Sequence, residues 1–496
     1  MQRVFSILIS FGLSIVVWAE ETISEGPLAK GTKWETPFYV RVSGQDGPTV
    51  VITGGIHGNE PAGARAAEQI RHWPITRGRL VVIPRVNIPG LRDGTRFLPG
   101  ESPQRRDLNR QFQKTKAPAG AHGMLGKALW QFIAGQKPDW LIDLHEGHDF
   151  HQINSKSVGS SIIDAKGKAA DVAVPRMLAA VNATITDPKK KLVRLRYPVD
   201  GSLARAAHER LEAASMILET TFKSQPLSKR ARQHRLMVHA LLTHLQMVDG
   251  TSQVLLTAKT DALRVAVYDA GGVGSNGPRA LDRVLLEMPT TVARRVGAED
   301  IRDGVLKQFD VAIFPGGSGS KQASALNSRG RAAVQAFVNR GGGYVGICAG
   351  SYLAAANYSW SLGISNHKTF CETIDLPDIG RKSMWYRGPS ATVKMELTKA
   401  GREILGDQNG VFHVRYQNGP IMSPMGLKGL GAFRTLAIFR SEVVCYGPQK
   451  GTMVNTPAII AGEYGKGRVL SISPHPESSA KLHALVANGI RWAGPR

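Results

Sequence analysis

"PTVVITGGIHGNEPAGARAAEQI", residues 48–70, decides how the first half of this chain folds. An apolar run ends in a glycine pair, a short loop follows, and alanines at helical spacing begin after Pro61. A buried strand produces such a run, and proline at a first helical position is pre-set for the helix. The loop between them carries His57 and Glu60 among glycines. A histidine and a carboxylate three residues apart supply two ligands to a metal, and two ligands alone hold nothing. A third ligand and a base are needed.

Further along, "DWLIDLHEG", residues 139–147, is an apolar strand that delivers His145 at its end. Two histidines and a glutamate make a nitrogen- and oxygen-rich zinc site with an open position. Zinc there polarises a carbonyl and makes water a better acid. The base is Glu219, at the end of the apolar run "SMILETTF". Between these segments, "TRFLPGESPQRRDLNRQF" (95–112) brings Asn109, Arg110 and further arginines. Guanidinium pairs bidentately with carboxylate, so this loop suits a substrate with a free acid group. His148, His151 and Glu146 read as loop or pocket-lining residues, with Glu146 pointing away from the metal.

The chain is 496 residues long, which exceeds one core and predicts two domains. Hydrophobic content of 42% and 54 glycines fit loop-rich α/β domains. Residues 1–19 read as a secretory leader: Arg3, an uncharged apolar stretch from Val4 to Val17, then small residues before a cut after Ala19. The apolar run is shorter than the roughly 20 residues that span a bilayer. The expectation is therefore an exported protein, periplasmic or extracellular, with no stable membrane span after cleavage. A first domain over 20–247, a connector over 248–261 and a second domain over 262–496 follow from the composition and the motifs.

Formal charge is +24. The basic runs "DPKKKLVRLR" and "SKRARQHR" lack interleaved aromatics, and no nucleic-acid-binding signature is present. Anionic cell-envelope polymers and acidic substrates are the better partners for such a surface.

The second half opens on "LRVAVYDAGGVG" and continues through "FDVAIFPGGSGS" and "GYVGICAGSY". Strands that end in glycine turns before helices predict a doubly wound, flavodoxin-like open sheet with its site at the strand ends. G-x-C-x-G around Cys348 is a nucleophile-elbow pattern with cysteine in place of serine. "VLSISPHPESS" supplies His475 and Glu477; Pro476 breaks the ladder so that both can face one site. Glu477 would orient His475, and His475 would activate Cys348. The amides of Gly316 and Gly317 would receive an oxyanion. Cys371 and Cys445 read as packed residues or a disulfide.

The order HxxE, DLNR, DLHEG and a late LET resembles the zinc carboxypeptidase superfamily, nearest its succinylglutamate desuccinylase and aspartoacylase branch. That resemblance, over roughly 35–245, implies a mixed-sheet α/β domain, Zn2+ on His57, Glu60 and His145, Glu219 as base, and Asn109 and Arg110 on the substrate carboxylate. It also implies an upstream arginine; Arg96 is the choice, with Arg92 and Arg106 open, and Tyr197 a candidate hydroxyl donor. The second half, over roughly 262–494, resembles class I glutamine amidotransferases, most of all the amidotransferase-like N-terminal part of some biotin-protein ligases. Together these imply an exported zinc hydrolase of amide bonds beside a free carboxylate, acting on a peptide or an N-acyl amino acid, fused to a Cys-His-Glu domain. A binding or sensing protein with silent sites is the rival reading.

Overall fold

The computed structural model describes residues 22–495 except 113–120, 250–253, 255–260, 275, 378–379, 384–386, 409 and 447–448. The expected leader and most of the expected connector lie outside the described residues. Among the described residues no helix is long and apolar enough to cross a membrane.

Eight strands build the first sheet: β1 (Thr22–Leu28), β2 (Thr36–Val42), β3 (Thr49–Gly54), β4 (Arg79–Ile83), β5 (Trp140–Gly147), β6 (Ser161–Asp164), β7 (Val193–Arg196) and β8 (Ala214–Thr221). Their order is β1-β2-β4-β3-β5-β8-β6-β7. The central β4, β3, β5 and β8 run parallel, while β2 and β6 pair antiparallel with this block. The sheet is mixed, as expected. Val50 and Ile52 enter one core and Val51 the other, so β3 is covered on both faces and reads as an unbroken apolar run.

Of the second group, β9 (Leu263–Tyr268), β10 (Thr291–Val296), β11 (Val311–Phe314) and β12 (Gly343–Ile347) are parallel. Two short antiparallel pairs come from β13 (His367–Thr369) with β18 (Met422–Pro424), and β14 (Thr373–Leu376) with β15 (Gly380–Ser383). The main sheet continues through β16 (Ala391–Leu397), β17 (Val411–Tyr416), β19 (Arg434–Phe439), β20 (Pro457–Tyr464) and β21 (Gly467–Ile472). Its order is β10-β9-β11-β12-β21-β20-β19-β16-β17. The parallel half, β10-β9-β11-β12-β21, has the flavodoxin-like order 2-1-3-4-5. The antiparallel extension from β20 to β17 is a feature that the sequence reading did not contain.

The seam between the two sheets is polar and buried. Gln69, near the end of the helix Pro61–Ile70, donates to the Arg295 carbonyl on edge strand β10 at 2.8 Å. From the helix Leu227–His244, Arg232 and Arg235 reach the buried Asp300 at 3.1 and 2.9 Å.

The cysteine expectation is corrected. Cys371 and Cys445 are free and exposed, so they form no disulfide and are not core residues. Cys445 lies against Gly388, and its amide donates to the Arg387 carbonyl.

Candidate functional sites

The first site lies at the C-terminal ends of β3, β5 and β8. After β3 the chain turns through His57 to Glu60, which precedes the helix Pro61–Ile70 as its N-cap residue. Gly58 is required there, because a Cβ would stand 2.0 Å from the Gly90 carbonyl carbon. His145 and Glu219 face each other in the register of β5 with β8. His57, Glu60 and His145 are all buried, and one ligand atom from each lies within 4.8 Å of the others.

Orientation comes from a ring of carboxylates. His57 Nδ1 is 2.9 Å and His145 Nδ1 is 2.8 Å from the two Glu60 oxygens. Their outer nitrogens face Asp107 at 3.1 Å and Asp143 at 2.8 Å. Thr53 donates to Asp143 in turn at 2.6 Å. Carboxylates on the far nitrogens of two imidazoles fix ring orientation at metal sites. Burial would raise the Glu60 carboxyl, but the charges and hydrogen bonds of His57 and His145 hold it well below the usual range.

Burial pushes the Glu219 carboxyl well above its ordinary range, against the opposing charge of His145. Its Oε2 is buried without a hydrogen-bond partner. Glu146, next to His145, is turned aside: it accepts from the Ala62 amide at 2.8 Å and pairs with Arg230.

Of the three candidate arginines, Arg96 reaches the pocket and donates to Glu60 at 2.6 Å. Arg92 pairs with Asp93 on the surface, and Arg106 covers the Phe97 ring. Asn109 accepts from the Leu203 amide at 3.0 Å, which directs its amide nitrogen to the pocket, 3.4 Å from His145 Nε2. Arg110 and Tyr197 line the same cavity of about 550 Å³, with Tyr197 half exposed. His148 lines it too, edge-on to Phe222, whereas His151 bonds the Ser157 carbonyl. The sequence reading passed over Asp143, Asp107 and Arg230. Asp143 had a signal, because two residues before His145 in a strand is the same face.

The second site lies at the ends of β9, β11, β12 and β21. Cys348 joins β12 to the helix Ala349–Ala354 at φ 50°, ψ −99°. That left-handed φ is strained for a residue with a side chain, as the strand-to-helix turn of an elbow requires. Gly350 is required beside it: a Cβ would meet the Phe314 carbonyl oxygen at 2.0 Å. The Cys348 amide donates to Ile472 at 2.8 Å, which ties the elbow to the strand that delivers His475. His475 Nδ1 is 2.8 Å from Glu477, and its imidazole is hydrogen-bonded to Cys348. Burial would lower the His475 pKa; the charge and hydrogen bond of Cys348, then Glu477, push it up to about 10.

A Cβ on Gly316 would meet His475 Cε1 at 2.6 Å and Cys348 Cβ at 3.6 Å, so this glycine flanks the pair. Gly316 and Gly317 line the cavity of about 410 Å³ that holds Cys348, His475 and Glu477. Arg415 and Gln417 line it as well, neither foreseen from sequence. Cys348 Sγ stands 3.5 Å from the Gln417 carbonyl.

An α/β domain with a His-Glu-His cluster is thus joined to a flavodoxin-like domain with a cysteine elbow. Comparison with known proteins finds a match within each part. Residues 46–185 match the succinylglutamate desuccinylase/aspartoacylase catalytic domain, and residues 302–490 match the biotin-protein ligase N-terminal domain. Glu219 lies beyond the first match, and Cys348, His475 and Glu477 lie within the second. A biotin–protein ligase of Schizosaccharomyces pombe is 26% identical over 170 residues, 34% of this chain and 26% of the ligase. The match therefore spans about a quarter of that relative's length. Two solved structures resemble part of the chain. Apo cell shape determinant protein Csd4 of Helicobacter pylori has 20% identity and TM-score 0.36, over 41% of this chain and 53% of Csd4. A succinylglutamate desuccinylase/aspartoacylase of Rhodobacter sphaeroides has 20% identity and TM-score 0.35, over 49% of this chain and 70% of that one.

Proposed function

We propose that this protein is an exported zinc-dependent hydrolase of amide bonds that adjoin a free carboxylate, acting as a carboxypeptidase or N-acyl amino acid deacylase. The observation that carries the reading is Glu219, a buried carboxylate whose Oε2 has no partner, in the same cavity as His57, Glu60 and His145. The donor set fits zinc: two imidazole Nδ1 atoms and a carboxylate converge, with both outer nitrogens held by acids. When bound there, zinc supplies Lewis-acid charge for the amide carbonyl and for water.

The chain's own residues do the rest. Asn109 and Arg110 hold the substrate carboxylate, and Arg96 faces the carbonyl oxygen. Glu219 takes a proton from the attacking water at Oε2 and returns it to the leaving amine nitrogen as the C–N bond breaks. In the second domain the same reading gives a thiol amidase. Cys348 Sγ attacks an amide carbon, His475 passes its proton to the departing amine, and water releases the acid from the thioester.

Peptidoglycan peptides, which carry free and amidated carboxylates, are a substrate class for an exported chain with two such sites, and the basic surface suits anionic envelope polymers. The test is zinc analysis of the purified protein together with amine release from N-acyl amino acids and muropeptides. About one zinc per chain is expected, lost in His57→Ala and His145→Ala. Full zinc occupancy in both variants, or no amine from any substrate, would overturn the reading.

A further inference from the structure

The metal cavity is lined by polar side chains, among them Arg96, Asn109, Arg110 and Lys156, and by an apolar wall. At its floor Ile217 and Ile163 are buried cross-strand partners of β8 and β6. Ile217 stands two residues before Glu219, so both side chains point to the same face of the sheet. At the mouth are Val158, Tyr197 and Val199, respectively 43, 51 and 46% exposed.

This exposure is concentrated. Of the eleven exposed large apolar side chains among the described residues, these three line the metal cavity and none lines the thiol cavity. Exposed apolar surface gathered at a cavity mouth marks a binding surface, whereas single residues scattered over a surface need no explanation. The sheet order β3-β5-β8-β6-β7 sets the direction. The apolar wall begins at Ile217 and Ile163 on β8 and β6 and continues beyond them, away from β3 and β5.

We infer that the metal site takes N-acyl amino acids whose acyl group is apolar and long enough to run from Ile217 out to Val199. This rests on the reading of the cavity as an amide hydrolase site and adds the substrate class. The amino acid carboxylate stays with Asn109 and Arg110, and the acyl chain covers the wall. An amino acid side chain is too short to need a wall that continues to the solvent, and the floor alone would satisfy it. The cavity of about 550 Å³ is of a size that holds ligands much larger than an acetyl group.

The test uses the full zinc-loaded chain with N-acetyl, N-butanoyl, N-octanoyl and N-succinyl derivatives of one amino acid. A parallel series keeps the acetyl group and lengthens the amino acid side chain. Each buried methylene is worth roughly fourfold in kcat/KM, so octanoyl, with six more methylenes than acetyl, should exceed it by on the order of 10³. Calorimetric affinities for the Glu219→Gln variant should follow the same order without turnover. Val199→Asp should collapse the octanoyl-to-acetyl ratio. Val158→Asp serves as a second variant should the first fail to fold.

A ratio near one in a protein that does hydrolyse these amides overturns the inference and leaves the hydrolase reading intact. So does a preference for succinyl over butanoyl, which would assign the wall's end to Lys156, a cation in the same cavity. A response to the amino acid side chain in place of the acyl chain overturns it equally. No turnover and no binding of any of these substrates would remove the hydrolase reading and the inference with it.

Discussion

Replacing Asp300 should unlock the two halves of the molecule, and the structure gives the size of the effect. Asp300 is 3% exposed and sits between Arg235, 1% exposed, and Arg232. Its side chain also accepts from the Gly297 amide at 2.8 Å, which caps the helix Ala298–Arg302. Arg232 keeps a second partner in Asp303. Both side-chain bonds of Arg235 go to Asp300, and its Nε and Nη1 are already buried without partners. In Asp300→Ala one guanidinium is thus left in the interior without a counter-charge. Breaking a buried pair in this way costs about 3–5 kcal/mol, and the lost cap adds about 1 kcal/mol. Asp303→Ala is the control, because Asp303 is 53% exposed and a surface pair is worth about 0–1 kcal/mol.

The assay is urea unfolding of each variant, with each transition fitted separately because two-domain chains need not unfold in one step. Asp300→Ala should move the midpoint far more than Asp303→Ala does. The pH dependence has a definite sign. Burial would raise the Asp300 carboxyl, but Arg235, Arg232 and the Gly297 amide hold it below the usual range. A depressed carboxyl contributes stability above the unfolded pKa of about 3.9 and loses it as pH falls through the folded value. The gap between wild type and Asp300→Ala should therefore be full at neutral pH and shrink in acid. Equal midpoints for the Asp300 and Asp303 variants would refute the reasoning.

Three further outcomes follow from the sites. Glu219→Gln should retain zinc while turnover falls by on the order of 10² or more; near-normal turnover would place the base elsewhere. Cys348 should be alkylated faster at neutral pH than Cys371 or Cys445 despite its burial, and His475→Ala should slow it, as read by peptide mass spectrometry. Because the His475 pKa is raised to about 10, its stabilisation is full below about pH 6.5 and is lost as pH rises through about 10. The stability lost between pH 8 and 10.5 should accordingly be smaller in His475→Ala. An inert Cys348, insensitive to His475, would make the second domain a binding module.

The sites were legible in the sequence mainly because His145, Glu219, Cys348 and His475 sit at or just beyond strand ends that local pattern reveals. Apolar runs marked β3, β5 and β8 as buried, and His145 and Glu219, near the ends of β5 and β8, face one another in their register. The HPE turn was legible for the same reason: Pro476 ends the ladder, and His475 meets Glu477 at 2.8 Å. Sheet order was legible only where crossover helices dictate parallel pairing. The extension from β20 to β17 depends on antiparallel partners chosen at long range, and no periodicity encodes that choice.

The seam is the most instructive miss, because the sequence of the helix Leu227–His244 points away from it. Arg232, Gln233, His234 and Arg235 are consecutive polar residues, which on a surface helix would be read as a solvated stretch. All four are buried. Successive helical positions point about 100° apart, so four in a row turn through most of the circumference. A helix that buries them all must be covered on more than one side. The first sheet covers one side, as Leu236 and Met237 in its core show. Asp300 reaches the same helix from the other domain, pairing with Arg232 and Arg235. One turn earlier, Arg230 of this helix pairs with Glu146, the neighbour of His145. The charge pattern read from sequence as a solvated basic run is, in the folded chain, the connection between the metal pocket and the domain that carries Cys348.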